Sequence, residues 1–115
     1  MDALDNLDVW KRSKTLAVNI YRSLSDCKDF GFKDQITRAA VSIPSNIAEG
    51  YEKHSKKEFA RYLKISKGSC AELRTQLIIG SEIGLIRKSV AETLIDESLQ
   101  ISKMIFGLIK HCQNH

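Results

Sequence analysis

The chain has 115 residues, 43% of them hydrophobic and 28% charged, with a formal net charge of +4, which is apolar material for one ordinary domain around one core. No apolar run approaches the roughly 20 residues of a membrane span. The opening Met1-Asp2-Ala3-Leu4-Asp5-Asn6 is acidic where a secretory signal would be basic, so a cytoplasmic protein without membrane contact is expected.

Apolar residues recur at three-and-four spacing nearly from end to end, with one proline and no low-complexity tract. The first helix is expected from about Leu7 to Leu24, with Val9, Trp10, Ser13, Leu16, Ala17, Ile20, Tyr21 and Leu24 as its inward stripe. Asp5 and Asp8 favour its positive end, and Ser25 to Gly31 make the turn that follows. The second helix is predicted from about Phe32 to Glu49, burying Phe32, Ile36, Ala39, Ala40, Ile43 and Ile47, with Gly50 as a left-handed C-cap. Pro44 within it leaves the Ala40 carbonyl without its usual donor and predicts a kink. Ser42, Ser45 and Asn46 flank the proline and can bond locally. Gln35, Arg38, Ser42, Ser45 and Glu49 form a polar stripe, read either as a network joining subunits or as a small polar pocket. The pocket reading lacks a nucleophile and base pair and any oxyanion site.

The third helix opens on the capping box Ser55-Lys56-Lys57-Glu58 and is expected to reach Ile83, with Gly84 ending it. A second capping box, Ser89-Val90-Ala91-Glu92, predicts the start of the fourth helix, whose stripe is Val90, Leu94, Ser98, Ile101, Ile105, Leu108 and Cys112. Gly68 and Gly80 stand isolated in the third helix, where glycine costs about 1 kcal/mol relative to alanine, so a neighbouring group is expected to fill the space beside each. Short turns make consecutive helices antiparallel neighbours. The expected fold is therefore all-α, an antiparallel up-down-up-down four-helix bundle with a kinked second helix, residues 1–115 forming one domain.

Charge is concentrated in one segment. From Lys53 to Arg74 the chain carries seven basic residues (Lys53, Lys56, Lys57, Arg61, Lys64, Lys67, Arg74) against Glu58 and Glu72. At 100° per residue all seven fall within an arc of about 140°. Opposite lie Phe59, Tyr62, Leu63, Ser66, Cys70, Leu73 and Leu77, the predicted core face. A third strip, Glu58, Ile65, Ser69, Glu72, Gln76, Ile79 and Ile83, mixes isoleucine with polar residues and points to a subunit contact. The basic stripe reads either as a solvated helix face or as a track for phosphates, sequence-tolerant and salt-dependent. It has no interleaved aromatics, so base stacking is not expected of it.

Three widely spaced cysteines, Cys27, Cys70 and Cys112, form no Cys-x-x-Cys pair and indicate neither a disulfide framework nor a zinc site. His111 and His115 stand one helical turn apart beside Cys112, but no third ligand is evident and His54 is far away in sequence. No metal, cofactor or catalytic residue is predicted.

The run Arg38–Gly50 (RAAVSIPSNIAEG), Glu58-Phe59 and the run Gly68–Leu77 (GSCAELRTQL) carry a resemblance, together with Asp8-Val9-Trp10-Lys11 and Gln35-Ile36-Thr37-Arg38. The chain resembles the four-helix bundle proteins encoded by intervening sequences of 23S rRNA genes, over nearly its whole length. The residues matching that signature are Arg38, Ser42, Pro44, Asn46, Glu49, Gly50, Gly68, Ser69, Glu72, Leu73 and Gln76. The resemblance implies a homopentameric ring and a fold shared with accessory proteins of diversity-generating retroelements, which bind nucleic acid and a reverse transcriptase. It brings no catalytic residues. The expected function is a non-enzymatic homo-oligomer that binds RNA or DNA through the basic stripe. The alternative is a protein-interaction scaffold whose basic stripe meets an acidic protein partner.

Overall fold

The computed structural model describes residues 3–114, apart from the side chains of residues 3 and 5. The expected contribution of the Asp5 carboxylate and the pairing of His111 with His115 therefore lie outside the described residues. After a 3-10 turn at Ala3–Asn6 come α1 (Asp8–Ser23), α2 (Phe30–Tyr51), α3 (Lys56–Glu82) and α4 (Lys88–Asn114). Each of α1 and α3 packs against both α2 and α4, which closes an antiparallel four-helix bundle as the apolar spacing predicted. Its long dimension of 45 Å matches α3 and α4, which at 27 residues each run about 40 Å at 1.5 Å per residue. No helix among the described residues is long and apolar enough to cross a membrane.

The core is built from one stripe per helix: Leu16 and Ile20 from α1, Ile36, Ile43 and Ile47 from α2, Leu63, Leu73 and Leu77 from α3, Ile101 and Ile105 from α4. Burying one leucine or isoleucine side chain contributes about 1.5–3 kcal/mol, so these stripes dominate the stability. Tyr21, expected in the α1 stripe, stays exposed, and Trp10, Phe59 and Tyr62 are only half-buried. Arg12 clamps α1 to α4 by a two-pronged contact with Glu97, Nη2 to Oε1 at 2.7 Å and Nε to Oε2 at 3.1 Å, while Nη2 also donates to Gln100 Oε1 at 2.8 Å. The hydrogen bond that Arg12 donates to Glu97 raises the Arg12 pKa above its ordinary value, against the opposing effect of burial.

Helix ends show where local signals were misread. α2 starts earlier than the apolar spacing indicated, because the Asp29 carboxylate accepts the Phe32 amide at 3.1 Å and caps it. It also continues past Gly50 to Tyr51, so Gly50 is not a C-cap. The left-handed residue of that connection is His54, at φ 52°. Gly50 serves close packing instead: a Cβ there would lie 2.6 Å from Tyr62 Cβ. Pro44 is buried inside α2, which runs unbroken through it.

Ser55 caps α3 as expected, accepting the Glu58 amide at 3.3 Å. Gly84, at φ +80°, follows the C-cap Ile83 and ends α3 as expected. The second expected capping box is displaced. α4 begins at Lys88, which places Ser89 inside the first turn, and the Ala91 amide bonds the Arg87 carbonyl at 2.9 Å. Gly80 is crowded as expected, a Cβ there falling 2.5 Å from Phe32 Cζ and 3.0 Å from Ile86 Cδ1, but Gly68 has nothing within 4 Å of its would-be Cβ.

These two environments predict opposite outcomes for the same substitution. Gly50→Ala pushes a methyl group into the rigid base of the Tyr62 side chain and is expected to destabilise by about 1–3 kcal/mol. Gly68→Ala, facing open space, is expected to stabilise by about 1 kcal/mol. Urea denaturation of both variants checks this, and equal effects of one sign would contradict the packing of α2 on α3.

Candidate nucleic-acid interface

The rotation of α3 about its axis decides where its cations point. Leu63, Ser66, Cys70, Leu73 and Leu77 are buried, and the Ser66 hydroxyl donates to the Ile43 carbonyl of α2 at 2.9 Å. With that edge inward, Lys56, Lys57, Arg61 and Lys64 are exposed, as is Lys53 in the preceding turn. Glu58, the one carboxylate between Lys56 and Ala71, turns to Arg61 at 3.5 Å. Two cations of the stripe are drawn towards α4. Lys67 bends toward α4, its Nζ 6.0 Å from the Phe106 ring centre. Arg74 is half-buried and donates from Nη1 to Ser98 Oγ of α4 at 3.3 Å, so it departs from the solvent-facing row that the wheel projection predicted.

α4 extends the positive surface, which reading α3 alone missed. From Ser98 onward α4 has no acidic side chain but carries Lys103 and Lys110. Lys103 joins Lys67, Ser102 and Phe106 around a groove of about 330 Å³, and Lys110 Nζ lies 5.6 Å from the Phe106 ring centre. Nearer the end of the bundle a second groove, of about 500 Å³, is lined by Lys56, Lys57, Arg61, Lys64 and Cys112, among others. The positive surface therefore spans the seam between α3 and α4. Aromatics accompany the cations after all, because Lys53 and Arg61 also stand 5.7 Å and 5.0 Å from the Tyr62 ring centre. The one clue in the sequence was the pairing of Lys103, Phe106 and Lys110 at helical spacing on α4.

The opposite flank of α3 differs in chemistry. Ser42 and Ser69 hydroxyls pair at 2.8 Å across α2 and α3, and the Asn46 amide donates to the Ser42 carbonyl at 2.8 Å and to its hydroxyl at 2.9 Å. This is the local bonding expected around Pro44, and it joins two helices of one chain. Gln35, Arg38, Ser45 and Glu49 are exposed, with Arg38 paired to Asp34 at 2.9 Å. Beside them run Ile65, Ile79 and Ile83, which are 45%, 49% and 61% exposed. On the same strip, Gln76 Oε1 is buried and has no hydrogen-bond partner. Among the described residues, no group of three His, Cys, Asp or Glu side chains could hold a metal ion.

These features define a class: an antiparallel helical bundle with a cationic seam on one side and an exposed isoleucine strip on the other. The chain belongs to the 23S rRNA-intervening sequence protein family, whose model matches residues 5–107. It is similar to a protein of unknown function from the S23 ribosomal protein family of Bacteroides thetaiotaomicron. That crystal structure shares 28% identity over 89% of this chain and 98% of the other, with a TM-score of 0.83. No curated protein matches the chain.

The three thiols are held in unequal settings. Cys70 is fully buried in the core, and burial pushes its pKa up to about 11 from an ordinary 9.0, outweighing the pull of Arg74 and Lys67. Cys27 and Cys112 are half-buried. At pH 8 a thiol-specific chromogenic reagent is expected to label Cys27 and Cys112 in the folded protein, and Cys70 only after denaturation. Because the folded state holds the Cys70 proton more tightly, its contribution to stability is complete below pH 9.0 and declines as the pH rises towards about 11. The Cys70→Ala variant should lack that part of the decline. Prompt labelling of all three thiols in folded protein would contradict the assigned core.

Proposed function

We propose that this protein is a non-enzymatic homo-oligomer, a ring of five chains, that binds RNA or DNA electrostatically through the seam of α3 and α4. The observation that carries the reading is the one-sided gathering of Lys56, Lys57, Arg61, Lys64, Lys103 and Lys110, with Glu58 as the sole carboxylate on these stretches of α3 and α4. The helix dipole disfavours part of it. Lys56 and Lys57 occupy the first turn of α3, the positive end of the helix dipole, where a cation costs about 0.3–1 kcal/mol and an anion is favoured. A polyanion with evenly spaced phosphates relieves this repulsion and releases its own counterions.

Assembly is supported by the isoleucine strip. Ile65 and Ile79 on α3 and Ile83 at its C-cap, with exposed Glu72 between the first two, leave apolar surface that a lone chain keeps wet. The buried Gln76 amide oxygen beside them has no hydrogen-bond partner within the chain, which costs a lone chain about 1–3 kcal/mol. A ring would set five cationic seams around one axis, so weak contacts from each chain would combine on a single long ligand. The five-fold number comes from the resemblance to the intervening-sequence proteins.

Binding measured by fluorescence anisotropy against short mixed-sequence RNA and DNA that engage one seam is expected to weaken steeply with salt, about a hundredfold from 50 to 200 mM if about four phosphates are neutralised in all. Replacing Lys57, Arg61 and Lys64 together by glutamine should reduce the salt slope by about 3, with little effect on folding because all three are exposed. Light scattering on the same samples should give about 65 kDa for five 13.0 kDa chains. Affinity indifferent to salt or to the triple substitution would overturn the nucleic-acid reading, as would protein partners that survive nuclease digestion and compete with nucleic acid for the seam. A monomeric mass would remove the ring.

A further inference from the structure

Phe106 is half exposed, at 50%, on the outer edge of α4 where it faces α3. An exposed phenylalanine alone needs no explanation. Its surroundings are the informative part. Lys110 Nζ lies 5.6 Å and Lys67 Nζ 6.0 Å from its ring centre, and Lys103 joins the groove of about 330 Å³ beside the ring. Two ammonium groups, one from each helix, thus stand over one aromatic ring with Lys103 lining the groove beside it, on a stretch of α4 that carries no acidic side chain after Glu97. A second copy of this surface is a poor occupant, because it would bring like charges together. What fits must present a flat apolar face and negative charge close beside it.

We propose that Phe106, with Lys67, Lys103 and Lys110, forms a stacking platform for single-stranded nucleic acid, the ring taking one base and the lysines the flanking phosphates. This rests on the electrostatic reading above and makes it narrower. Stacking on an aromatic ring is tolerant of base identity because every base has a π-face, whereas a duplex keeps its bases stacked on one another and offers the ring nothing. Lysines that lie over the ring in the free protein remain within reach of phosphates when a base takes their place. The track from this platform continues along α3 through Lys64, Arg61 and Lys57 to the larger groove, about 15 Å further at 1.5 Å per residue. The seam therefore combines a backbone track with a stacking ring, the two components by which single strands are held without sequence preference.

The test compares labelled single-stranded RNA, single-stranded DNA, an abasic strand and a duplex of equal length, each by fluorescence anisotropy at one low salt concentration. The wild-type protein is expected to favour both base-bearing single strands over the duplex, the RNA and DNA arms showing which sugar is preferred. Phe106→Ala should weaken binding of base-bearing single strands about tenfold, and leave the duplex and the abasic strand within about twofold. Phe106→Leu, which keeps apolar bulk but has no π-face, should fall with the alanine variant, while Phe106→Trp should restore or tighten binding. If Phe106→Ala and Phe106→Leu bind single strands like wild type while salt-dependent binding persists, the platform is wrong and the electrostatic reading stands. If the wild-type protein binds none of the four ligands, both are wrong.

Discussion

The burial of one edge of α3, through Leu63, Leu73 and Leu77, is the constraint from which the rest of this molecule follows. Fully buried leucines at these positions leave α3 one rotational setting, since turning the helix would expose several of them at about 1.5–3 kcal/mol each. Ser66 adds direction to that preference, because its bond to the Ile43 carbonyl exists in only one setting. Tight spots at Gly50 and Gly80 let the neighbouring elements approach closely enough to hold it.

From that setting two unlike flanks emerge. Towards α4 the helix turns its lysines and Arg61, and α4 answers with Lys103, Phe106 and Lys110. Towards α2 it presents Ser69, bonded to Ser42, and beside that seam a row of isoleucines. One surface suits a polyanion and the other suits apolar burial, so assembly and ligand binding need not compete for the same residues. The Arg12 clamp on Glu97 lies across the bundle, between α1 and α4, and belongs to neither surface.

The four helices, most of each core stripe and the start and end of α3 were legible because they depend on local rules. Apolar spacing, the Ser55 cap and the left-handed Gly84 act over a few residues. Asp29 does not stand out as a cap because Phe30, Gly31 and Phe32 obscure where the helical pattern begins, and Ser89 imitates a cap two residues too late. Gly50 and Gly68 could not be told apart from sequence, since one faces Tyr62 and the other faces open space. The cationic face was half legible. A wheel projection of α3 placed Lys57, Arg61 and Lys64 outward correctly, yet it could not show Arg74 reaching Ser98, nor Lys67 folding onto an aromatic 39 positions away in the chain. Those are tertiary contacts, and only packing of α3 on α4 creates them.

Photocrosslinking addresses the central claim most directly, namely that one setting of α3 separates a nucleic-acid surface from an assembly surface. With 4-thiouridine-substituted single-stranded RNA bound to the native protein and the linked peptides read by mass spectrometry, adducts are expected on the α3 stretch from Lys56 to Lys67 and the α4 stretch from Lys103 to Lys110. Adducts concentrated on the α1 surface, or along the isoleucine strip of α3 from Ile79 to Ile83, would contradict it.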